Sequence, residues 1–483
     1  MGNFLGLDLG TSSLKALLID DNQRVLASAS AELHARNPAF GWSEQDPADW
    51  VAATQAALDA LMAEAPAALA AVEGIGLSGQ MHGATLLDAT DAVLRPCILW
   101  NDTRAHAEAA ELDDEEARAI TGNIVFPGFT APKLVWVARH EPETFAKTAK
   151  ILLPKDYLRL WLTGETVSDL SDAAGTAWLD TGRRDWSERM LERTGLTRAA
   201  MPRLVEGSAP SGGLRADVAA RWGLKAGTPV AGGAGDNAAS ACGVGAVRPG
   251  TGFVSLGTSG VLFAATSGYR PVPGTALHTF CHALPGLWHQ MGVTLSAAGS
   301  LQWLSRILDE PPATLAASAG EDLAAPGRTL FLPYLSGERT PHNDASVRGA
   351  FLDLSVGTER ADLVRAVMEG VAFSMRDCLD AGGGPGSVER LVAVGAGARS
   401  PLWLAMLATA LETEIVRPAS GDFGAAFGAA RLGLVAATGA DPAAVMVEPE
   451  VARRFAPDAG LVPAFRDAQA RYRAAYPAFA AIR

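Results

Sequence analysis

Two stretches of this chain, LGLDLGTSSLKALLID from Leu5 and FVSLGTSGVLFAA from Phe253, follow one pattern: an apolar run, Leu-Gly-Thr-Ser, then a second apolar run. Each predicts two strands joined by a tight turn. A strand–turn–strand unit that returns roughly 250 residues later points to internal duplication, and so to two similar domains rather than three unrelated ones. The 483 residues then divide near residue 247, into 1–247 and 248–483. Strands also alternate with helices: VEGIGLS at 72–78 follows a helix opened by Asp46-Pro47, with Asp46 as N-cap and Val51, Leu58, Leu61 and Met62 as its apolar face. That order favours an α/β fold over an all-β sandwich.

Charge excludes more than it identifies. With 40 Lys+Arg against 53 Asp+Glu the net charge is −13, and the six lysines are scattered, so no footprint for nucleic acid exists. Cys97, Cys242, Cys281 and Cys378 lie far apart with no C-x-x-C, which suits a reducing compartment. The segment MGNFLGLDLG lacks the basic start of a signal peptide. The long uncharged stretch between Pro249 and Ser305, where Arg270 is the only charge, carries too many Pro, Gly, Ser and Thr for a membrane helix. A cytoplasmic protein with no membrane partner is expected.

An acidic protein can still bind phosphate through local donors. A Gly-Thr-Ser turn offers backbone N–H groups and hydroxyls, with Gly allowing positive φ and close approach. Asp8, closing the first strand, could hold Mg²⁺ or its water, or simply hydrogen-bond the turn. No lysine follows a glycine, so no Walker-type loop exists, and no G-x-G-x-x-G follows the first strand.

Asp236 stands in GGAGDNAAS, an acidic side chain among small residues. Poor solvation would raise its pKa and make it a better base, while capping a helix from Ala238 is an equally good reading. The loops Ser78-Gly79-Gln80-Met81-His82-Gly83 and Trp100-Asn101-Asp102-Thr103-Arg104 combine flat apolar faces with hydrogen-bonding ends at strand termini, a pairing suited to a polyol. Gly395-Ala396-Gly397-Ala398-Arg399-Ser400, between a strand and the helix PLWLAMLATAL, would let a flat ring lie on the backbone.

Together these pieces resemble the FGGY family of carbohydrate kinases, from LGLDLGTSSLK to GAAFGAARL (424–432). Gly128-Phe129-Thr130-Ala131-Pro132-Lys133-Leu134-Val135-Trp136 is similar to its first signature, and Gly349-Ala350-Phe351 through Met368-Glu369-Gly370 to its second. The resemblance implies two actin-like (ribonuclease H-like) ATPase domains with the active site in the interdomain cleft. It implies ATP and Mg²⁺, with Asp236 as proton acceptor and Asp8 near Mg²⁺ and the phosphates. Thr11, Ser12, Gly257 and Thr258 would lie at the phosphates, and Gly395, Gly397 and Ala398 at adenosine. Met81, His82 and Asn237 would face the sugar, with Asn101 and Asp102 beside them.

The implied activity is phosphorylation of D-xylulose at its C5 hydroxyl, by a chain that could be a homodimer. Ribulose, L-xylulose, glycerol and a non-catalytic actin-like nucleotide switch are the alternatives. Three positions depart from the family pattern: Asp353, Ala396 and Ala234 stand where Gly is usual. Each would cost on the order of 1–2 kcal/mol if its φ were positive.

Overall fold

A computed structural model describes residues 2–419 and 423–482. Its framework is two seven-stranded sheets. The first contains β1 (Asn3–Leu9), β2 (Ser13–Asp20), β3 (Val25–Glu32), β4 (Val72–Gly79), β5 (Pro210–Gly213), β6 (Pro229–Ala231) and β7 (Ala234–Gly235), in the order β5-β6-β4-β1-β2-β3 with β7 also pairing β4. The second contains β8 (Thr251–Leu256), β9 (Gly260–Thr266), β10 (His278–Cys281), β11 (Trp288–Thr294), β12 (Arg390–Val394), β13 (Glu414–Pro418) and β14 (Val451–Phe455), in the order β10-β11-β9-β8-β12-β13-β14.

The topologies repeat. β1, β2 and β3 form an antiparallel ribbon, and β1 runs parallel to β4. β8, β9 and β11 do the same, and β8 runs parallel to β12. The two Leu-Gly-Thr-Ser segments are the β1–β2 and β8–β9 turns, so the pattern in the sequence marks equivalent places in two like sheets.

β1 is apolar almost throughout because both of its faces are covered, as parallel pairing requires. One face enters the core shared with α1 (Pro47–Glu64), which packs over β2 and β3 and which Asp46 caps by accepting from the Ala48 N–H at 3.0 Å. The buried stripe of α1 is Trp50, Ala53, Ala57, Leu58 and Leu61; Met62, expected inside, is 44% exposed, and Val51 is only half-buried. The apolar stripe is therefore rotated toward Trp50, whose indole N–H reaches Gln45 Oε1 at 2.9 Å.

Between β4 and β5 lies a region of short strands and helices that includes α2 (Thr130–His140) and α3 (Pro154–Thr163). Its core of Phe129, Trp136 and Trp178 extends to Phe280 and Met291 of the second sheet, joining the halves. The halves are joined again by α4 (Asp236–Val244) and α6 (Ala425–Thr438), with α5 (Ala298–Leu308) opening beside the β8–β9 turn.

Helix α6, late in the chain, packs back onto β1 and β4 of the first sheet. The approach is so close that a Cβ on Gly6 would lie 1.9 Å from the Ala426 carbonyl oxygen, and one on Gly76 only 1.7 Å from that of Ala429. Glycine is required there by space, not by φ. Among the described residues no helix is long and apolar enough to cross a membrane.

Candidate active site

Three strand ends meet at the head of the first sheet. In register, Asp8 of β1 stands beside Ser78 of β4, and Ala234 of β7 stands on the other side of Ser78. Asp8 and the turn into Asp236 therefore flank the end of β4, about 10 Å apart as two strand spacings require. Gly233 turns the chain with φ +76°, and a Cβ there would fall 2.4 Å from the Leu77 carbonyl oxygen.

Asp236 is the first residue of α4 and Gly235 takes the N-cap position, so the capping reading gives way. One carboxylate oxygen accepts from the Asn237 N–H at 2.7 Å and from Asn237 Nδ2 at 2.9 Å. Burial, and then the neighbouring charge of Asp8, push the Asp236 pKa up to about 6 against the pull of those two donors. The result is a carboxylate that is ionised at neutral pH yet more basic than an ordinary one.

Met81 lies next to this turn, and the His82 ring lies against Gly175, which Met81 also approaches. A Cβ on Gly235 would fall 2.8 Å from Met81 Cγ, and one on Gly175 would fall 2.5 Å from His82 Cε1. His82 has φ +69°, stacks on Phe129 with centroids 4.7 Å apart, and makes a 2.6 Å contact from Nδ1 to the Gly175 carbonyl oxygen. Burial lowers its pKa to about 3, so the ring is neutral; Nδ1–H donates to Gly175 and Nε2 keeps an acceptor lone pair. The His82 carbonyl accepts from Lys133 Nζ at 2.8 Å and Thr130 Oγ1 at 3.1 Å, both on α2. From the second half, Phe280 approaches the imidazole at 6.2 Å between centroids.

At the β1–β2 turn the Thr11 hydroxyl donates to Gln80 Oε1 and accepts from Trp100 Nε1, both at 2.9 Å, while Gln45 Nε2 donates to the Thr11 carbonyl at 2.7 Å. Ser12 is exposed beside it. At the β8–β9 turn, the Gly257 and Thr258 carbonyls accept from N–H groups of Ala297, Ala298 and Gly299 at the start of α5, at 2.8–3.1 Å. Neither Gly10 nor Gly257 has the positive φ expected of these turns. Gly10 serves close approach instead, since a Cβ there would sit 3.0 Å from the Ser13 carbonyl oxygen.

Gly257 and Thr258 share the wall of a cavity of about 900 Å³ with Ala396, Gly397, Trp403 and the segment 312–322. Gly395, at φ +88°, and Ala398 face a second cavity of about 760 Å³ on the other side of the same turn. The structure thus brings one phosphate-type turn and Gly397 together, with Gly395 and Ala398 as their backing.

The 100–104 segment departs from the sequence expectation. Trp100 serves the Thr11 hydroxyl, and Asn101 is exposed on the same turn. Asp102, expected as a sugar contact, is 1% exposed and its oxygens accept from the Arg104 guanidinium at 2.7–3.0 Å and the Ser43 N–H at 2.6 Å. A buried carboxylate so occupied is structural.

Comparison with known proteins follows the same outline. The N-terminal-domain model of the FGGY family of carbohydrate kinases matches residues 3–243 and the C-terminal-domain model residues 252–437. The chain belongs to the FGGY family of carbohydrate kinases. It is 48% identical over 439 residues to a xylulose kinase of Escherichia coli, covering 90% of each chain. It is similar to the solved structure of a xyloylose kinase from Brucella ovis, with 60% identity, TM-score 0.97 and full coverage of both chains. It is also similar to a xylulose kinase from Rhodospirillum rubrum, at 31% identity, TM-score 0.90 and 99% coverage of each.

Of the three departures from the FGGY pattern, one falls at positive φ. Asp353 has φ +60° and pairs with Arg328 at 3.2 Å on the surface. Ala396 and Ala234 avoid that region because the preceding glycines, Gly395 and Gly233, take the left-handed step. Other members of the site carried no local signal: the Gly175 carbonyl and Gln45 act through a backbone and an amide group that any loop could supply, whereas Gln80 stood in the 78–83 candidate loop. Lys133 and Thr130 stood inside the first FGGY signature, but nothing in its spacing points to the His82 carbonyl.

Proposed function

We propose that this FGGY kinase transfers the γ-phosphoryl group of ATP to the C5 hydroxyl of D-xylulose, giving D-xylulose 5-phosphate and ADP. The observation that carries the reading is Asp236: a carboxylate raised to about 6, at the head of a helix whose turn meets Met81, the neighbour of His82. The identity to xylulose kinases supports the choice of sugar.

In this reading Asp236 accepts the hydroxyl proton as the oxygen attacks phosphorus, and Asn237 fixes the carboxylate orientation. Neutral His82 accepts a sugar hydroxyl through Nε2, with Met81 against the carbon chain and Asn101 at the rim. Thr11, Ser12, Gly257 and Thr258 orient the phosphates, since phosphoryl transfer depends mainly on positioning and electrostatics. Gly395, Gly397 and Ala398 back the adenosine.

Among the described residues no cluster of three or more His, Cys, Asp or Glu could cage a metal. The carboxylate of Asp8 beside a phosphate turn fits Mg²⁺, which takes one or two carboxylates and fills its shell with phosphate and water. Asp8 would hold it, directly or through water, and the ion would supply positive charge against the transferred group. The reading divides the chain near residue 247 although α6 returns to the first sheet, and it takes the enzyme as cytoplasmic and allows a homodimer.

The test is ADP release measured over D-xylulose, D-ribulose, L-ribulose, L-xylulose and glycerol. D-Xylulose should give the highest kcat/KM; a tenfold preference for another acceptor overturns the substrate, and ADP release indifferent to every sugar overturns the kinase reading.

A further inference from the structure

Beneath the site lies a fully buried ionic cluster that the proposed chemistry does not use. Lys155 Nζ stands 2.6 Å from Asp156, 2.5 Å from Asp169 and 3.1 Å from Asp172, and Arg159 stands 3.3 Å from Asp156; all five side chains are 0% exposed. Two cations face three carboxylates. Burial raises the Asp172 pKa well above its ordinary value, Lys155 pulling against it and Asp169 and Asp156 adding to it. A buried ion set of this kind contributes little net stability compared with apolar packing, which makes its contacts with the backbone informative.

Those contacts converge on the two chemical groups of the site. Arg159 donates to the Ala231 carbonyl at 2.6 Å and to the Gly232 carbonyl, gripping the strand that leads to Asp236. Asp169 caps the short helix Leu170–Ala173, accepting from the Ser171 N–H at 2.9 Å and the Ser171 hydroxyl at 2.5 Å. The same hydroxyl accepts from the Gly235 N–H at 3.2 Å, one residue before the base. Four residues after Ser171, the Gly175 carbonyl holds the His82 imidazole. One short segment, anchored in the cluster by Asp169 and Asp172, thus touches both the base-bearing turn and the sugar-facing histidine.

We propose that the Lys155–Asp156–Arg159–Asp169–Asp172 cluster is a positioning element that, through Ser171, Arg159 and the Gly175 carbonyl, fixes Asp236 and His82 relative to one another. It rests on the reading of Asp236 as the base. None of the five side chains is a catalytic residue, because none is placed against substrate. The cluster supplies a rigid common floor, and an error of about 1 Å between base and acceptor hydroxyl is enough to cost on the order of 100-fold in rate.

The test uses the full-length enzyme with Ser171→Ala, Asp169→Asn, Asp236→Asn and, as a control, Thr54→Ala. Thr54 is a buried hydroxyl on α1 that donates to the Trp50 carbonyl at 2.8 Å, away from the site. Sites are counted by ADP binding, so that kcat refers to folded molecules only. Ser171→Ala and Asp169→Asn should lose about 10- to 100-fold in kcat per site with the KM for ATP unchanged within about twofold. Thr54→Ala should keep its kcat per site whatever its melting temperature. If Ser171→Ala and Asp169→Asn retain kcat per site while Asp236→Asn is inactive, positioning is refuted and the base assignment stands. If kcat per site falls in Thr54→Ala as much as in Ser171→Ala, the cluster is merely structural. If Asp236→Asn turns over normally, the base assignment itself fails.

Discussion

Replacing Asp236 by Asn should do two opposite things, abolishing turnover and stabilising the fold. The raised pKa carries both consequences. Folded Asp236 titrates near 6 and an unfolded one near 3.8, a difference of about 2 units. At about 1.4 kcal/mol per unit the ionised carboxylate costs the folded state at most about 3 kcal/mol. The side chain is half-buried rather than sealed, so water reduces this to about 1–2 kcal/mol.

The sign follows from linkage. Below the unfolded pKa both states are protonated and the penalty is absent; it grows as pH rises through the folded pKa and is complete above it. Asn keeps the shape and the acceptor for the Asn237 N–H but never ionises. The stability gap between Asp236→Asn and wild type should therefore be near zero at pH 4, open between pH 4 and 7, and reach about 1–2 kcal/mol at pH 8. Urea denaturation of both proteins at pH 4.5, 6 and 8, with domain transitions followed separately, measures this gap. On the kinetic side kcat should fall by about 100- to 10,000-fold, the usual worth of a general base. In the wild type, kcat/KM should drop tenfold per pH unit below about 6. A gap that does not change with pH, or an Asn variant that becomes relatively less stable as pH rises, refutes the desolvated-base argument.

Two further predictions concern the rest of the site and its frame. Since burial lowers His82 to about 3, no imidazole limb should appear in kcat/KM above pH 6, and His82→Asn should raise the ketose KM about tenfold, leaving the ATP KM and the limb near 6 in place. A limb near 6 that vanishes in His82→Asn would give the titration to the histidine instead. Gly76→Ala would drive a Cβ to 1.7 Å from the Ala429 carbonyl oxygen, where about 3.4 Å is needed, forcing α6 away from β4. Overpacking of that kind should destabilise by about 1–3 kcal/mol or more in urea melts, and a change below about 0.5 kcal/mol would mean the helix moves freely.

What the sequence determined by itself is local chemistry. The two Gly-Thr-Ser turns, Asp8 at a strand end, Asp236 among small residues and the 395–400 turn are each read from a few adjacent residues. The structure has them where strand ends put them. The duplication was legible for the same reason, because a hairpin is short enough to survive as a pattern. Tertiary structure alone decided which distant groups meet. Asp102 is a candidate sugar contact by sequence, but Arg104 and Ser43 occupy its oxygens; Trp100 keeps an exposed ring while its indole N–H reaches Thr11.

The return of α6 to the first sheet, the Gly175 carbonyl under His82 and the grip of Arg159 on residues 231–232 belong to the same class. They join residues from 72 to more than 350 positions apart through backbone carbonyls and glycine gaps, which have no side-chain signature. Periodicity and turn chemistry report on a residue and its neighbours in the chain. Whether a carboxylate is a base, a strut or a cap depends on its solvent and its partners, and those are set only when the sheets close.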